Sequence, residues 1–388
     1  MDIFAMDAGY VAHTYARFPV ALVKGRGAVL TDDGGREYID LGSGIAVNSF
    51  GAGDETWKQA VIAQLSALPH ASNLYYTQPC AQLAQMLCQR TGMKKVFFCN
   101  SGAEANECAI KAARKWALQA KGPGHETIIT LKNSFHGRTL ATLAATGQDA
   151  FHTQFGPFPS GFAYADPQEP QSLFALAEKG NCCAILFESI QGEGGVMPLS
   201  PAFVSAMEAA ARQYNLLLMA DEVQTGNGRT GRLYGYMHHS SLQPDVVTTA
   251  KGLAGGLPLG ACMLGEKVKD VFAPGDHGST FGGNPVCCAG AISILSRLTP
   301  EFLEEVAQKG ARILDVLGKT PGVRDISGRG LMLGISCVRP AREVIDRCRE
   351  RGVLVISAKQ KVRLLPPLTI SFDELKKALD ILKEALQP

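Results

Sequence analysis

Short apolar runs alternate along most of the chain with longer stretches in which apolar residues recur every three or four positions. The runs predict strands at 95–99, 127–131, 183–188, 216–222 and 245–250. The periodic stretches predict helices, most clearly at 103–120 and 201–215. Strands that are almost wholly apolar and separated by helices are typical of a mostly parallel sheet covered on both faces. The pattern therefore predicts an α/β protein built on such a sheet.

After about residue 285 the pattern changes to helices that surround a few short strands. The predicted helices are 286–298, 301–318, 341–351 and 372–387. The predicted strands are 331–337, 353–357 and 362–366. Ser371 and Glu374 have the spacing of a capping box, which supports a helix start at this point. We therefore expect a second, smaller α/β domain in the C-terminal part.

Composition and charge exclude several classes of protein. With 388 residues, 46% of them hydrophobic and 19% charged, the chain can form a globular protein with more than one core. The net charge of +2 gives no electrostatic reason to expect nucleic acid or an anionic membrane as a partner. The eleven cysteines are an odd number and include no C-x-x-C pair, so no metal site is predicted. Several of them lie in apolar runs as small core residues, as Cys99 does, and we therefore expect a reducing compartment. The N-terminal MDIFAMDAGY has no signal-peptide or transit-peptide pattern, and no apolar run is of membrane-spanning length, so we predict a cytoplasmic protein.

Polar or glycine-rich segments follow the predicted strands, at the edge where open parallel sheets bind ligands. NSGAEANE (100–107) follows the first strand, and Gly102 and Ala103 there would let an anion approach the start of a helix. A tight strand-to-helix turn would also need glycine without any ligand. The segment is neither a Walker loop nor a dinucleotide fingerprint.

Two further segments offer side chains with an equally open interpretation. Phe135, His136 and Arg138 follow the second strand, and they form either a capped helix start or a platform for a flat ring with a guanidinium for a carboxylate. Glu188 ends the third strand, and Glu193 follows it in a glycine-rich loop. Glu193 is either a solvated loop residue or a group that reaches into a cleft.

Asp221 and Lys251 are more informative because each ends a hydrophobic strand. A buried carboxylate at Asp221 must meet a metal, an arginine or a protonated heterocyclic nitrogen. Lys251 either extends to solvent or, with a pKa lowered by an apolar setting, is a nucleophile that can form a Schiff base. Phosphate cradle, ring platform, carboxylate and amine are together the parts of a pyridoxal phosphate site.

These residues stand in segments that resemble a known family. DEVQTGNGRTG and TTAKGLAGGLPLGA resemble the class III, or ornithine-type, aminotransferases, which are pyridoxal phosphate enzymes. NSGAEANE, SFHGRTLAT, QGEGGV, STFGGNP and VRLLPP match the acetylornithine aminotransferase branch in the same order, over nearly the whole chain. The resemblance implies the α/β fold type I of PLP-dependent transferases, with a large domain of mostly parallel sheet and a smaller C-terminal domain. We expect an N-terminal segment at 1–44 that packs with the small domain, the PLP-binding domain at 45–284 and the small domain at 285–388.

The resemblance implies a role for each residue around the cofactor. Lys251 would hold pyridoxal 5'-phosphate as a Schiff base and move the proton in catalysis, and Asp221 would keep the pyridine nitrogen protonated. Gln224 would hydrogen-bond the phenolic oxygen, and Phe135 would stack on the ring. The phosphate would be bound by Ser101, Gly102 and Ala103, and by Thr280 of the neighbouring subunit. The resemblance therefore also implies a homodimer.

The resemblance also implies how the substrates are bound. Arg138 would bind the α-carboxylate of the amine donor, and Arg363 the α-carboxylate of 2-oxoglutarate. Glu193 would pair with Arg363 while the donor is bound and release it for the diacid. The family's G-H-x-H-P-like turn is absent from 44–57. A tyrosine that the ornithine branch has near position 44 is also absent, and Gly44 and Ile45 stand there instead. That replacement favours an N-acylated donor over free ornithine.

The expected reaction is transamination between N2-acetylornithine and 2-oxoglutarate, which yields N-acetylglutamate 5-semialdehyde and glutamate in arginine biosynthesis. Succinylornithine, N-succinyl-diaminopimelate, ornithine and 4-aminobutyrate are alternative donors. An aminomutase, which needs no external keto acid, and a PLP-binding protein without activity are the alternatives in other classes. A nicotinamide dehydrogenase is disfavoured because the chain lacks a dinucleotide fingerprint.

Overall fold

The structure is a computed structural model and describes residues 2–388. The strands are β1 (Leu22–Arg26), β2 (Val29–Asp32), β3 (Glu37–Asp40), β4 (Lys95–Cys99), β5 (Thr127–Leu131), β6 (Phe162–Ala165), β7 (Cys182–Phe187), β8 (Ile190–Gln191), β9 (Met197–Pro198), β10 (Leu217–Asp221), β11 (Val246–Thr249), β12 (Gly260–Leu264), β13 (Val323–Arg329), β14 (Met332–Cys337), β15 (Val353–Leu354), β16 (Ile356–Ala358) and β17 (Lys361–Leu364). The helical segments are α1 (Ile3–Tyr10), α2 (Ser43–Ala46), α3 (Glu55–Ala67), α4 (Gln78–Thr91), α5 (Gly102–Lys121), α6 (Leu140–Ala145), α7 (Gln171–Ala177), α8 (Pro201–Gln213), α9 (Pro285–Arg297), α10 (Pro300–Leu317), α11 (Ala341–Glu350) and α12 (Phe372–Leu386).

The largest sheet has seven strands in the order β4-β12-β11-β10-β7-β5-β6. Its strands run parallel except β12, which is antiparallel to both of its neighbours. One face packs against α5 through residues such as Ile110, and the other against α8 through residues such as Phe203. Burial on both faces explains why all six residues of β7 are apolar and buried. The predicted mostly parallel sheet is confirmed.

The C-terminal strands β13-β14-β17-β16 form a separate antiparallel sheet. The apolar run predicted as one strand at 353–357 is divided between two sheets. Its first part, β15, pairs in parallel with β3 and completes the N-terminal sheet β1-β2-β3-β15, whereas β16 pairs with β17. The N-terminal strands are therefore hydrogen-bonded to a C-terminal one, and the three-part division of the chain stays a prediction.

The segment α2 is a left-handed turn rather than an ordinary helix. Ser43, Gly44, Ile45 and Ala46 have φ values of 42°, 63°, 60° and 66°. A positive φ is uncommon for a β-branched residue such as Ile45, so surrounding contacts must hold the turn. Asp40 Oδ1 accepts the N–H groups of Gly42, just before the turn, and of Ser43, its first residue. Ser43 Oγ donates to the Leu365 carbonyl at 2.6 Å. The turn contains Gly44 and Ile45, the residues at which the resemblance predicts the loss of a tyrosine.

The helices, the cysteines and the possible metal ligands were each compared with what a membrane span, a disulfide or a metal site requires. Within residues 2–388 no single helix is long and apolar enough to cross a membrane, and α9 with α10 reaches that length and composition only across a 78° bend. Every cysteine is a free thiol. In the same part of the chain, no three His, Cys, Asp or Glu side chains converge where they could hold a metal ion.

Candidate active site

A cavity of about 500 Å³ opens at the carboxyl edge of the large sheet. The loops that follow β4, β5, β7, β10 and β11 all contribute to its wall. The cavity is therefore at the edge where open α/β sheets bind ligands. Its lining includes nine of the predicted residues, namely Ser101, Gly102, Ala103, Phe135, Arg138, Glu193, Asp221, Gln224 and Lys251. Arg363 reaches this group through Glu193, whereas Thr280 lies on the surface outside the cavity.

The start of α5 forms one wall of the cavity. Ser101 caps the helix, since its Oγ accepts the Glu104 N–H at 3.2 Å. The N–H groups of Gly102 and Ala103 belong to the first turn and have no acceptor within the helix, so they can bind an anion. A Cβ on Gly102 would lie 2.6 Å from Val223 Cγ1. Glycine is therefore required by the close approach of the helix start to the loop after β10.

Asp221 is buried and accepts three hydrogen bonds. Its Oδ2 accepts Asn106 Nδ2 at 2.7 Å and His136 Nδ1 at 2.8 Å, and its Oδ1 accepts the Val223 N–H at 3.0 Å. A carboxylate can only accept, so Nδ1 of His136 carries the proton. Thr248 Oγ1 donates to Asn106 Oδ1 at 2.7 Å and fixes the amide. The sequence analysis required a partner for Asp221, but it did not identify Asn106 or His136 in this role.

Glu188 connects the loops that follow β5 and β7. Its Oε1 accepts the Phe135 N–H at 2.9 Å, and its Oε2 accepts the Gly192 N–H at 3.0 Å. Burial, together with the charge of Asp221, raises the pKa of Glu188 to about 7, although His136 and the two N–H groups act in the opposite direction. The side chain thus holds Phe135 and the glycine-rich loop in a fixed relation. Its position at the end of an apolar strand was the sequence feature that pointed to it.

Lys251 follows β11 and is one of the residues that line the cavity. Its φ of 44° is positive, which is uncommon for a residue with a side chain. Burial lowers the pKa of Lys251, and Arg363 acts in the same direction, while Asp221, Glu193 and Glu188 partly oppose the shift. A lysine with a lowered pKa has more of the neutral amine that acts as a nucleophile.

Glu193, Arg363 and Gln224 form one hydrogen-bonded group. Arg363 Nη1 lies 2.5 Å from Glu193 Oε1 and donates to Gln224 Oε1 at 3.2 Å, while Gln224 Nε2 donates to Glu193 Oε1 at 3.3 Å. The side chain of Arg363 is 3% exposed and that of Glu193 is 32% exposed. Burial opposes ionisation of Glu193, but the charge and hydrogen bond of Arg363 lower its pKa overall. A Cβ on Gly192 would lie 2.4 Å from Gln224 Oε1, so this glycine leaves room for the amide.

Arg138 lies at the open side of the cavity and is exposed. Its guanidinium carbon is 4.4 Å from the ring centroid of Phe151 and 5.6 Å from that of Phe135. The two rings meet edge to face, with centroids 5.9 Å apart and planes at 66°. Phe151 was not identified from the sequence as a site residue.

Comparison with known proteins gives these residues a family. The model of the family described as aminotransferase class-III matches residues 10–386. The chain belongs to the class-III aminotransferases. Like the other members, this aminotransferase depends on pyridoxal phosphate, so the predicted family, enzyme class and cofactor are confirmed.

Relatives and a solved structure agree with this assignment along the whole chain. The aminotransferase is 48% identical over 387 residues to acetylornithine aminotransferase of Haemophilus ducreyi, covering 99% of this chain and 98% of that one. It is 44% identical over 378 residues to acetylornithine aminotransferase of Bacillus subtilis, with 96% of both chains covered. The ornithine aminotransferase of Toxoplasma gondii, whose structure has partial occupancy of PLP, superimposes with a TM-score of 0.93 at 33% identity over 99% of this chain and 93% of that one. The predicted fold type I is confirmed.

The residues of the cavity suit this cofactor. A helix start with free N–H groups matches a phosphate, and the Lys251 amine has no hydrogen-bond partner among residues 2–388. Asp221 Oδ1 accepts only one backbone N–H, so it retains capacity for a second donor. A volume of about 500 Å³ lies within the usual range for cofactor sites.

Proposed function

We propose that this aminotransferase transfers the side-chain amino group of N2-acetylornithine to 2-oxoglutarate, as a step of arginine biosynthesis. The observation that carries the proposal is the arrangement of the Lys251 amine with two separate guanidiniums: Arg138 lines the same cavity, and Arg363 is bonded to Glu193 and Gln224 in the cavity wall. One guanidinium is open and the other is already paired with a carboxylate, which suits a donor with one carboxylate and a diacid acceptor. The full-length identity to acetylornithine aminotransferases supports the acetylated donor.

Pyridoxal phosphate, when bound, supplies an electron sink that stabilises negative charge on the reacting carbon. We propose that Lys251 Nζ binds it and moves the proton to and from that carbon. The carboxylate of Asp221, fixed by Asn106 and His136, would accept the N–H of the pyridine ring. Phe135 would provide the flat surface for the ring, and Gln224 the donor for the phenolic oxygen.

The phosphate would be bound by Ser101 Oγ and by the N–H groups of Gly102 and Ala103. For the substrates, we propose that Arg138 binds the donor's α-carboxylate and that Arg363 binds the α-carboxylate of 2-oxoglutarate. While Glu193 holds Arg363, the cavity presents no free cation at that point, which suits a donor whose reacting carbon has no carboxylate. Release of Arg363 from Glu193 then creates the site for the diacid. One cavity thereby serves both substrates.

Assay of purified enzyme with a panel of donors tests the proposed substrate. We expect the highest kcat/KM with N2-acetylornithine, and lower values with N2-succinylornithine, N-succinyl-diaminopimelate, ornithine and 4-aminobutyrate. No product should form without 2-oxoglutarate. A higher kcat/KM for another donor would reassign the substrate within the family, and turnover without a keto acid would instead indicate an aminomutase.

We also propose that two copies of the chain form a dimer in which Thr280 completes the partner's phosphate site. Thr280 is exposed and is followed by Phe281, which is 62% exposed. Asn73 Nδ2 donates to the Gly282 carbonyl at 2.9 Å, which places the exposed apolar segment 74–76 beside them. Contiguous exposed apolar residues of this kind are typical of an interface.

Eleven free thiols support a reducing, cytoplasmic location.

Subunit mixing tests the shared site. Lys251→Ala and Thr280→Asp chains should each be nearly inactive alone, because one lacks the amine and the other places a carboxylate against the phosphate. Refolded together in equal amounts, they should recover about a quarter of wild-type activity, since half of the dimers then contain one intact site. Recovery no greater than the sum of the separate variants would contradict a shared site, and sedimentation as a monomer would contradict the dimer.

A further inference from the structure

Phe151 contacts the Arg138 guanidinium more closely than any other aromatic side chain in the described part of the chain. The guanidinium carbon is 4.4 Å from the Phe151 centroid, within the range of a cation–π interaction. Phe135 contributes a second, longer contact at 5.6 Å and meets Phe151 edge to face. The three side chains therefore form one cluster, of which Phe135 and Arg138 line the cavity.

The cluster leaves the hydrogen-bonding edge of the guanidinium free. A cation–π contact uses the face of the guanidinium, whereas a carboxylate binds in its plane to the N–H groups. Within residues 2–388, Arg138 forms no ion pair with a carboxylate. An exposed arginine without such a partner would lose considerable rotamer freedom on binding a substrate. Contact with Phe151 restricts the side chain beforehand.

The turn that carries Phe151 is itself anchored. Phe151 ends a 3-10 turn, Asp149–Phe151, and its N–H donates to the Gln148 carbonyl at 3.0 Å. Gln148 Nε2 donates to the Ser134 carbonyl at 3.0 Å, next to Phe135. His152 Nε2, one residue after Phe151, bonds the Leu143 carbonyl at 2.9 Å. The ring is thus held from both sides of the turn.

We propose that Phe151 is a positioning residue that orients Arg138 for the α-carboxylate of the amine donor, and so favours donors that carry this carboxylate. The inference rests on the proposed function, because it takes Arg138 as the carboxylate-binding group. Phe151 itself touches neither the reacting atoms nor the cofactor. Its effect is expected only with substrates that use Arg138.

A pair of donors separates this effect from a general loss of structure. N2-acetylornithine has the carboxylate, and N-acetyl-1,4-diaminobutane is the same molecule without it. In the Phe151→Leu enzyme, KM for N2-acetylornithine should rise about 2- to 10-fold, the range expected when one long side chain has to be ordered on binding. The KM for N-acetyl-1,4-diaminobutane and kcat for both donors should stay within about twofold, because the reacting end of the donor is unchanged.

Calorimetry gives a readout that does not depend on turnover. When the enzyme is loaded with pyridoxamine phosphate, the cofactor and the donor are both amines and cannot react with each other. The dissociation constant of N2-acetylornithine should then show the same increase in the Phe151→Leu enzyme. Phe151→Tyr keeps an aromatic face and should restore wild-type binding. Phe155→Leu is the matched control, since Phe155 lies in the same segment and is 56% exposed, but the cation–π contacts of Arg138 are with Phe135 and Phe151 and not with Phe155.

The outcomes separate the two proposals. Wild-type enzyme that acts on neither acetylated donor would contradict the proposed function. If wild-type prefers N2-acetylornithine and Phe151→Leu keeps that preference unchanged, the role of Phe151 is wrong. The role is also wrong if Phe151→Leu weakens both donors equally and shifts the absorption band of bound pyridoxal phosphate. That result would mean that Phe151 supports Phe135 instead.

Discussion

Replacement of Lys251 by alanine is expected to reduce kcat by about 10⁴-fold or more, because proton transfer and the covalent bond to the cofactor are lost together. Proton transfer by a positioned group alone contributes about 10²- to 10⁴-fold. No other lysine lines the cavity in residues 2–388, so no second amine can take its place. Lys251 already has a positive φ, and alanine requires no different backbone conformation.

Steady-state rates and mass spectrometry measure this effect. Treatment of the wild-type holoenzyme with borohydride should fix the cofactor onto the peptide that contains Lys251, and the Lys251→Ala enzyme should give no such adduct. Lys251→Arg is the matched control, because it keeps the positive charge but has no neutral amine near pH 7. An alanine variant that retains more than about one hundredth of wild-type kcat would exclude Lys251 as the proton-transfer group.

Substitutions in the Glu193–Arg363 pair are expected to affect opposite halves of the reaction. Arg363→Ala should lower kcat/KM for 2-oxoglutarate about 10²-fold or more, because it removes a bidentate carboxylate site and leaves Glu193 without its partner. Glu193→Gln leaves Arg363 as a buried, uncompensated cation while the donor is bound. It should therefore slow the reaction of N2-acetylornithine and leave that of 2-oxoglutarate nearly unchanged.

Rapid-mixing measurements on each half of the reaction separate the two effects. The pyridoxal form is mixed with the donor, and the pyridoxamine form with 2-oxoglutarate, while the cofactor absorbance is followed. Because the pKa of Glu193 is lowered, the pair persists as pH falls through the usual range for glutamate and is lost only at lower pH. Equal slowing of both halves by both substitutions would contradict an exchange of partners by Arg363.

Local sequence patterns predicted most elements of the large domain. β4 and β5 lie at the predicted residues, and α5 extends one residue beyond 103–120 at each end. The apolar periodicity that marks the buried face lies within the residues of each element. It therefore predicts the element without knowledge of the neighbours that cover this face. The strands β6 and β12 were not singled out, because FAYA is only partly buried and GACML follows a glycine- and proline-rich stretch.

Strand order was not predictable from the sequence. The run at 353–357 has the composition of one strand, yet hydrogen bonding divides it between the sheets of β3 and β17. Pairing depends on partners more than 300 residues away in the case of Val353 and Ile39. The periodicity of a single strand carries no information on such partners.

The chemistry at each strand end was also determined by the sequence. Asp221 and Lys251 had to lie at the carboxyl edge of a parallel sheet, because chain direction and strand ends follow from the pattern itself. Which groups surround them was decided by the tertiary structure. Asn106 reaches Asp221 across 115 residues, and His136 across 85. Phe151 contacts Arg138 only because its turn is bonded back to Ser134 and Leu143. Such groups have no shared sequence pattern, since their spacing is set by how separate loops pack against one another.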